Sequence, residues 1–315
     1  MHPSSDLHVV FGGTGAVGGA VVRELVRQGL RVRVVQRAGP LTFPAGVEVI
    51  QGDATDEASA RQALEGAAAV YHCIGAPQNR WASILPPIMK SLILAAGAVG
   101  AVLVYADNLY MYPPTSSPMT EELSNAPITR KGRLRAELAE TLLAAHRQGT
   151  LQAVIGRGSD FYGPGGRVST VGDIFFGRLV AGKSIQWLGR TDMPHSITYL
   201  ADFARGLVTL GTHQESWGQV WHVPTAEPLT GAQYAAVAAR EAGVPVRVSR
   251  VSPLVLRLGG LFSPLLRETI EMQFEFQQPY ILDDTKYIRA FGGEPTPYDE
   301  GFRHTIAWFR EQAHS

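Results

Sequence analysis

Val9-Val10-Phe11-Gly12-Gly13-Thr14-Gly15-Ala16-Val17-Gly18-Gly19 is the stretch whose reading decides the fold. Gly12, Gly15 and Gly18 stand at GxxGxxG spacing between two contrasting runs. Leu7 to Phe11 is a continuous apolar run, as in a buried strand. Ala16 to Gln28 follows, with Val17, Val21 and Leu25 four apart on one helical face. Small residues between strand and helix let the backbone approach a pyrophosphate, and the N–H groups of the helix start attract its charge. A tight turn without a ligand is the bland alternative, since 34 glycines make some such patterns by chance. Position favours the ligand: this is the first strand and first helix, opening a βαβ unit of suitable length. Gly12, Thr14, Gly15, Val17 and Gly18 are therefore expected to bind a dinucleotide.

The alternation continues outward. Arg31 to Val35, Val47 to Ile50, Ala69 to Cys73, Ala101 to Tyr105 and Leu151 to Ile155 read as strands. Glu57 to Leu64, Ile84 to Ala96 and Leu134 to His146 read as helices. Alternating strands and helices predict an α/β fold, a Rossmann doubly wound parallel sheet covered on both faces. After Gly163 the pattern becomes irregular. Residues 1–162 are expected to form the dinucleotide-binding domain, and 163–315 mainly a smaller substrate-binding lobe, with about 196–225 returning to the first domain.

A chain of 315 residues exceeds one ordinary core. Its 28 basic and 28 acidic residues cancel, which argues against nucleic acid as a partner. The single cysteine, Cys73, forbids an internal disulfide and suits a reducing cytoplasm. Met1 to Leu7 has no Lys, Arg or apolar run, so no signal peptide is expected there. The apolar stretch Leu92 to Ala106 is interrupted by glycines and falls short of the roughly 20 residues of a span, so no membrane partner is expected. No His, Cys or carboxylate cluster has metal-ligand spacing, so no metal is expected.

The end of the second strand bears on which dinucleotide binds. An acidic residue there would bond the adenosine ribose and repel a 2′-phosphate. Gln36 and Arg37 stand there instead, and a guanidinium can pair a 2′-phosphate and stack on adenine. A solvated surface arginine is the alternative. NADP(H) is preferred, with NAD(H) possible.

With these motifs the chain resembles the extended short-chain dehydrogenase/reductases, the NAD-dependent epimerase/dehydratase-like branch, over nearly its whole length. Gln51-Gly52-Asp53-Ala54-Thr55-Asp56 is similar to the family's Gly-Asp segment, which implies Asp53 and Ala54 at the adenine. Cys73-Ile74-Gly75 looks like the small-residue loop under the ribose. Arg157 to Gly165 is similar to the family's Arg…TyrGlyPro motif, Ile197 to Ala204 to a segment ending near an Asp (here Asp202), and Thr296 to Phe309 to the C-terminal helix. The resemblance also implies a homodimer through the helices after the fourth and fifth strands.

The family's usual catalytic set is Ser, Tyr and Lys, and this chain departs from it. With Glu137 as anchor, Thr129 falls at the Tyr position, Arg133 at the Lys position and Asn108 near the Ser position. Arg133 keeps a charge for ribose hydroxyls, and Asn108 can still donate to a carbonyl. Thr129 cannot replace a phenol, because an aliphatic hydroxyl is far too weak an acid. Tyr110 and Tyr112, at the carboxyl edge of the sheet, are candidates for a relocated donor; as wall or lid residues they would only pack. Asp107 could fix Asn108 or accept a proton, and Asp160 and Tyr162 could line the nicotinamide side. Lys131 reads as an exposed lysine beside Arg130, and His195 as a polar loop residue whose chemistry would suit proton transfer.

Pro264 to Tyr287 mixes Phe274, Phe276 and Tyr280 with charges, as in an apolar wall or core packing. Few basic residues flank it, which argues against a sugar nucleotide. The expected activity is an NADP(H)-dependent oxidoreductase acting on a carbonyl, enone or hydroxyl of a small molecule. A redox-neutral epimerase or isomerase, and a non-catalytic dinucleotide sensor, stand as alternatives.

Overall fold

The computed structural model describes residues 6–37, 43–245, 247–251 and 270–314. The part of the aromatic and charged stretch from Pro264 to Thr269 lies outside the described residues. Two compact units divide the chain. The first comprises Met1–Asn108, Arg133–Arg157 and Phe203–Val223; the second comprises Leu109–Gly132, Gly158–Asp202 and Pro224–Ser315.

The first unit holds a seven-stranded sheet. Its strands are β1 (Leu7–Phe11), β2 (Arg31–Gln36), β3 (Glu48–Gln51), β4 (Ala67–His72), β5 (Val102–Asp107), β6 (Ala153–Arg157) and β11 (Val220–His222). Their order is β11-β6-β5-β4-β1-β2-β3, with every pairing parallel. All five residues of β1 are buried, which is why it reads as an unbroken apolar run rather than an alternating one. Strand order reverses between β1 and β4. Open α/β sheets hold their ligands at such a reversal, beyond the carboxyl ends of the strands.

Helices α1 (Ala16–Arg27), α2 (Glu57–Ala63) and α3 (Trp81–Val99) supply the crossovers. Val21 and Leu25 of α1 are buried and Val17 is half-buried, close to the face that the periodicity selects. The stretch Gln78–Val99 is long and apolar enough to cross a membrane by length and composition. Here α3 packs on α2, β4 and β5, and Leu85, Met89, Leu92 and Ala96 are buried. It starts three residues before the expected Ile84, at Trp81, whose ring is itself buried. Both β5 and β6 run two residues past their predicted ends, to Asp107 and Arg157. Polar residues break a hydrophobic pattern, but these two sit opposite each other in the parallel register and are ion-paired at 3.2 Å.

The second unit is built from short ribbons and helices. β7 (Asp160–Tyr162) pairs with β10 (Ile197–Tyr199), β8 (Ile185–Trp187) with β13 (Val248–Arg250), and β9 (Pro194–His195) with β12 (Leu229–Thr230). Its helices include α6 (Gly231–Ala242) and α8 (Tyr298–His314), which pack on each other; between these lies α7 (Thr285–Phe291). The core is aromatic: Tyr162, Phe175, Phe176, Trp187, Tyr234 and Phe302 are fully buried. Tyr162 was expected beside the nicotinamide; at 1% exposure it is a core residue of this unit instead. Asp202 accepts from the Thr296 amide at 2.7 Å and its hydroxyl at 2.8 Å, anchoring the approach to α8. Two further long helices are α4 (Arg130–Arg147) and α5 (Leu200–Thr212).

Candidate functional site

Gly12 ends β1 with φ +86°, a conformation open to glycine and costly to other residues. A methyl group added there would lie 2.6 Å from the Cys73 carbonyl oxygen. One added at Gly18 would lie 2.2 Å from the Gly12 oxygen. The first and third glycines thus let the β1 loop pass against the end of β4, at the reversal in strand order. Gly15 is the N-cap of α1 and has no side chain to satisfy the helix's free N–H groups. No acidic residue occupies the first turn. Thr14 and Gly15 are exposed. These features fit the phosphates of a dinucleotide.

The other expected cofactor residues gather in the same unit. Gln36 is half-buried at the end of β2, and Arg37 beyond it is exposed. The Gln51 side-chain amide donates to the Arg37 carbonyl at 3.1 Å and fixes this turn. Asp53 is exposed, and its Oδ1 accepts from the Thr55 amide at 2.9 Å and hydroxyl at 2.8 Å. Those two bonds, with a smaller effect from Arg37, hold its carboxyl below the usual range. Ala54 is buried, Ile74 half-buried and Gly75 exposed. The Cys73 thiol is pushed up to about 12 by burial, so it is a packing residue and no nucleophile.

A charged cluster that the motifs did not announce lies at the carboxyl ends of β5 and β6. The Asp107 side chain, with no exposed surface, accepts from Arg157 Nε at 3.2 Å and faces Arg135 at 3.5 Å. Arg135 also donates to the Tyr105 hydroxyl at 2.6 Å and lies 4.4 Å over the Trp81 ring. Asp107 is thus held by two guanidiniums. Asn108 itself is half-buried, and Arg133 is exposed. A signal was available: Arg135 follows Arg133 by two, so it lies well round the helix from it.

In the second unit Thr129 precedes α4, and its Oγ1 accepts from the Gly132 amide at 2.9 Å. This is an N-cap bond, and it explains why α4 begins before the expected Leu134. A methyl at Gly132 would lie 2.2 Å from the Tyr110 carbonyl oxygen, so only glycine lets the Tyr110 turn pack here. Tyr112 is buried and Tyr110 half-buried. Glu271 reaches the same helix start from a distant segment: it accepts from the Lys131 amide at 3.1 Å and pairs with Arg130 at 3.2 Å. Lys131 is 4% exposed, against the expectation of a solvated lysine.

His195 departs from its expected loop setting as well. It is 2% exposed, in β9, with Nε2 at 2.8 Å from Asp160 Oδ2 and Nδ1 at 3.3 Å from the Glu275 carbonyl oxygen. Its ring is sandwiched between Phe276 at 4.2 Å and Tyr280 at 5.0 Å. Glu275 is 1% exposed and accepts from the Tyr280 hydroxyl at 3.1 Å. Burial, then the charge of Asp160, pushes the Glu275 carboxyl well above the usual range. Among the described residues no group of three or more His, Cys, Asp or Glu could hold a metal ion.

The family model of the NAD-dependent epimerases and dehydratases matches residues 8–223. The chain belongs to this family. Its fold is shared by a UDP-glucuronic acid 4-epimerase from Bacillus cereus, solved with UDP-glucuronic acid and NAD: 15% identity, TM-score 0.78, over 97% of this chain and 99% of that one. It is shared by a dTDP-glucose 4,6-dehydratase double mutant from Streptomyces venezuelae, solved with NAD bound: 19% identity, TM-score 0.78, over 98% of each chain. It is also shared by an epimerase from Methanothermobacter thermautotrophicus: 18% identity, TM-score 0.81, over 98% of this chain and 93% of that one. At these identities the likeness is one of fold. As an epimerase/dehydratase family member the chain has the NAD(P)-binding unit, while Thr129, Arg133 and Asn108 stand where its resemblance to the extended short-chain enzymes leads one to expect Tyr, Lys and Ser.

Proposed function

We propose that this chain is an NADP(H)-binding oxidoreductase acting on a carbonyl, enone or hydroxyl of a small molecule. The carrying observation is a glycine cradle kept intact beside a β2 end that bears Arg37 and no carboxylate. Gly12, Gly15 and Gly18 with the start of α1 would hold the pyrophosphate, Arg37 the 2′-phosphate, and Asp53 and Ala54 the adenine. Arg133 would reach ribose hydroxyls. NADPH bound there would supply hydride chemistry toward an electrophilic carbon. Asn108 polarises the substrate oxygen by donating a hydrogen bond. Tyr110, half-buried where Tyr112 is buried, is the better placed phenol to meet a small molecule and give it a proton. The single buried cysteine suits a reducing cytoplasm.

A second reading is redox-neutral epimerisation with tightly held cofactor. The relatives of the same fold that act on nucleotide sugars with NAD support it. A cofactor-binding sensor is a third, supported by the loss of the usual phenol at Thr129.

The test is a fluorescence titration with NADPH and NADH, with and without a panel of ketones, enones, aldehydes and UDP-sugars. Tight NADPH binding with oxidation by a panel carbonyl is the expected result. Co-purified cofactor with sugar inversion would favour the epimerase, and tight binding without any turnover the sensor.

A further inference from the structure

A carboxylate needs one guanidinium for neutrality, and Arg157 supplies Asp107 with it at 3.2 Å. Arg135 reaches the same carboxylate only at 3.5 Å, and it has closer engagements. It donates to the Tyr105 hydroxyl at 2.6 Å, and its guanidinium lies 4.4 Å over the Trp81 ring. Trp81 in turn donates its indole N–H to the Ala76 carbonyl at 2.8 Å. Arg135, Tyr105, Asp107 and Trp81 are all buried, and all belong to the first unit.

These contacts join three pieces of chain. Tyr105 and Asp107 lie at the end of β5, and Asn108 follows directly. Trp81 opens α3 and holds the loop 73–76 that leaves β4. Arg135 stands on α4, buried, two residues after the exposed Arg133. The end of β4 is tied in as well: the His72 ring lies 5.1 Å from the Tyr105 ring, and the Cys73 amide donates to the Phe11 carbonyl. A planar guanidinium suits this junction, because it stacks by its face while its edge donates; an ammonium is a single point of charge.

Position in the sheet says what the junction serves. A dinucleotide lies across the reversal in strand order, with one half on each side. Arg37 and Asp53, assigned above to the 2′-phosphate and the adenine, stand on the β1-β2-β3 side. The junction lies on the β4-β5-β6 side, and that side is left for the nicotinamide half.

We propose that Arg135 is a positioning residue for the nicotinamide half of the cofactor site, fixing the loop 73–76, Asn108 and Arg133 relative to one another through Trp81, Tyr105 and Asp107. This rests on the dinucleotide-binding part of the function proposed above and not on hydride transfer. Arg135 acts through the groups it holds. Groups ordered before the ligand arrives lose no further freedom on binding it, so the junction shows itself in affinity for the half of the cofactor that it serves.

The experiment compares binding of whole cofactors with binding of their adenosine halves by the full chain: NADPH against 2′,5′-ADP, and NADH against ADP. Tyr105→Phe removes one hydroxyl. Trp81→Phe removes the indole N–H and keeps a ring under the guanidinium. Arg135→Lys keeps the charge facing Asp107 and loses the plane. Urea unfolding first establishes that each variant is folded. Each is expected to bind the whole cofactor about tenfold more weakly and the adenosine half within about twofold of wild type. Tyr105→Phe is expected to add little once Arg135 is replaced by lysine, because both changes break one link. Equal weakening of whole cofactor and adenosine half would mean that the variants disturb the unit at large. Unchanged binding of both would mean that the cluster only packs. Either result overturns the positioning role. A wild type that binds NADPH and reduces nothing overturns the oxidoreductase reading, while the same split in binding still upholds the positioning role. A wild type that binds neither cofactor overturns both.

Discussion

The Oγ1 of Thr129 accepts a hydrogen bond from the Gly132 amide at 2.9 Å, with both residues buried. The hydroxyl at the position where a relative of the extended short-chain enzymes is expected to carry a phenol is engaged in capping α4. Its removal should appear first in stability. Thr129→Ala should lose about 1 kcal/mol in urea unfolding, while Thr129→Ser keeps most of it. Equal losses for the two variants would rule out the cap.

Gly18 tests the cradle. A methyl there would be 2.2 Å from the Gly12 carbonyl oxygen, and backbone cannot yield as a flexible side chain can. Gly18→Ala should weaken NADPH binding at least tenfold by fluorescence titration, a loss of about 1.4 kcal/mol or more. Binding within twofold of wild type would show that the loop does not hold the pyrophosphate.

Arg37 separates the two dinucleotides. Removing one charge-assisted pair to a phosphate costs about 1.5–3 kcal/mol, a loss of about 10–150-fold. Arg37→Ala should lose this for NADPH and leave NADH nearly untouched. If NADH binds more tightly than NADPH in the wild type, and the substitution changes neither, the 2′-phosphate assignment is wrong.

Asp107 is the shared carboxylate of two guanidiniums, and its side chain is wholly buried. Asp107→Asn keeps the shape and removes the charge. Breaking a buried pair from one side costs about 3–5 kcal/mol, so the urea midpoint should fall sharply. A change below about 0.5 kcal/mol would mean that the cluster contributes nothing to folding.

His72 makes a pH prediction. Burial, and then Arg135, lowers its imidazole from 6.5 to about 3. The unfolded chain then binds the proton more readily than the folded one between those values. The contribution is fully present above about 6.5 and is lost as pH falls toward 3. Glu275, raised instead of lowered, has the opposite sign, because its contribution declines as pH rises above the ordinary carboxyl range. The stability difference between wild type and His72→Gln should therefore shift in favour of the wild type from pH 5 to pH 7. A difference independent of pH over that interval would refute the assignment.

The Rossmann sheet was legible because its signals are local. A strand buried on both faces is an apolar run, and a crossover helix carries a stripe, so β1, α1 and β2 read within a residue of their bounds. The strand ends at Asp107 and Arg157 were not legible, because the two polar residues pair with each other across fifty positions, and Asp107 also with Arg135. For the same reason Lys131 looked solvated and His195 looked like a loop residue. Their partners Glu271, Glu275 and Asp160 come from other segments, and no spacing rule links them. The aromatic and charged stretch drew notice, but nothing in its spacing distinguished Glu275 from its neighbours.

By itself the sequence determined the glycine cradle and the parallel sheet, and its resemblance to the extended short-chain enzymes placed Thr129, Arg133 and Asn108 where a phenol, a lysine and a serine are expected. Each is a matter of residue type at a fixed local spacing, where backbone sterics and hydrophobic period act directly. Only the tertiary structure decided what the replacement residues do. It made Thr129 a helix cap, locked Asp107 between Arg135 and Arg157, and gathered Asp160, His195, Glu275 and Tyr280 in one buried cluster. A side chain's protonation and hydrogen bonds depend on which distant groups exclude water from it, and that is settled only when the chain closes on itself.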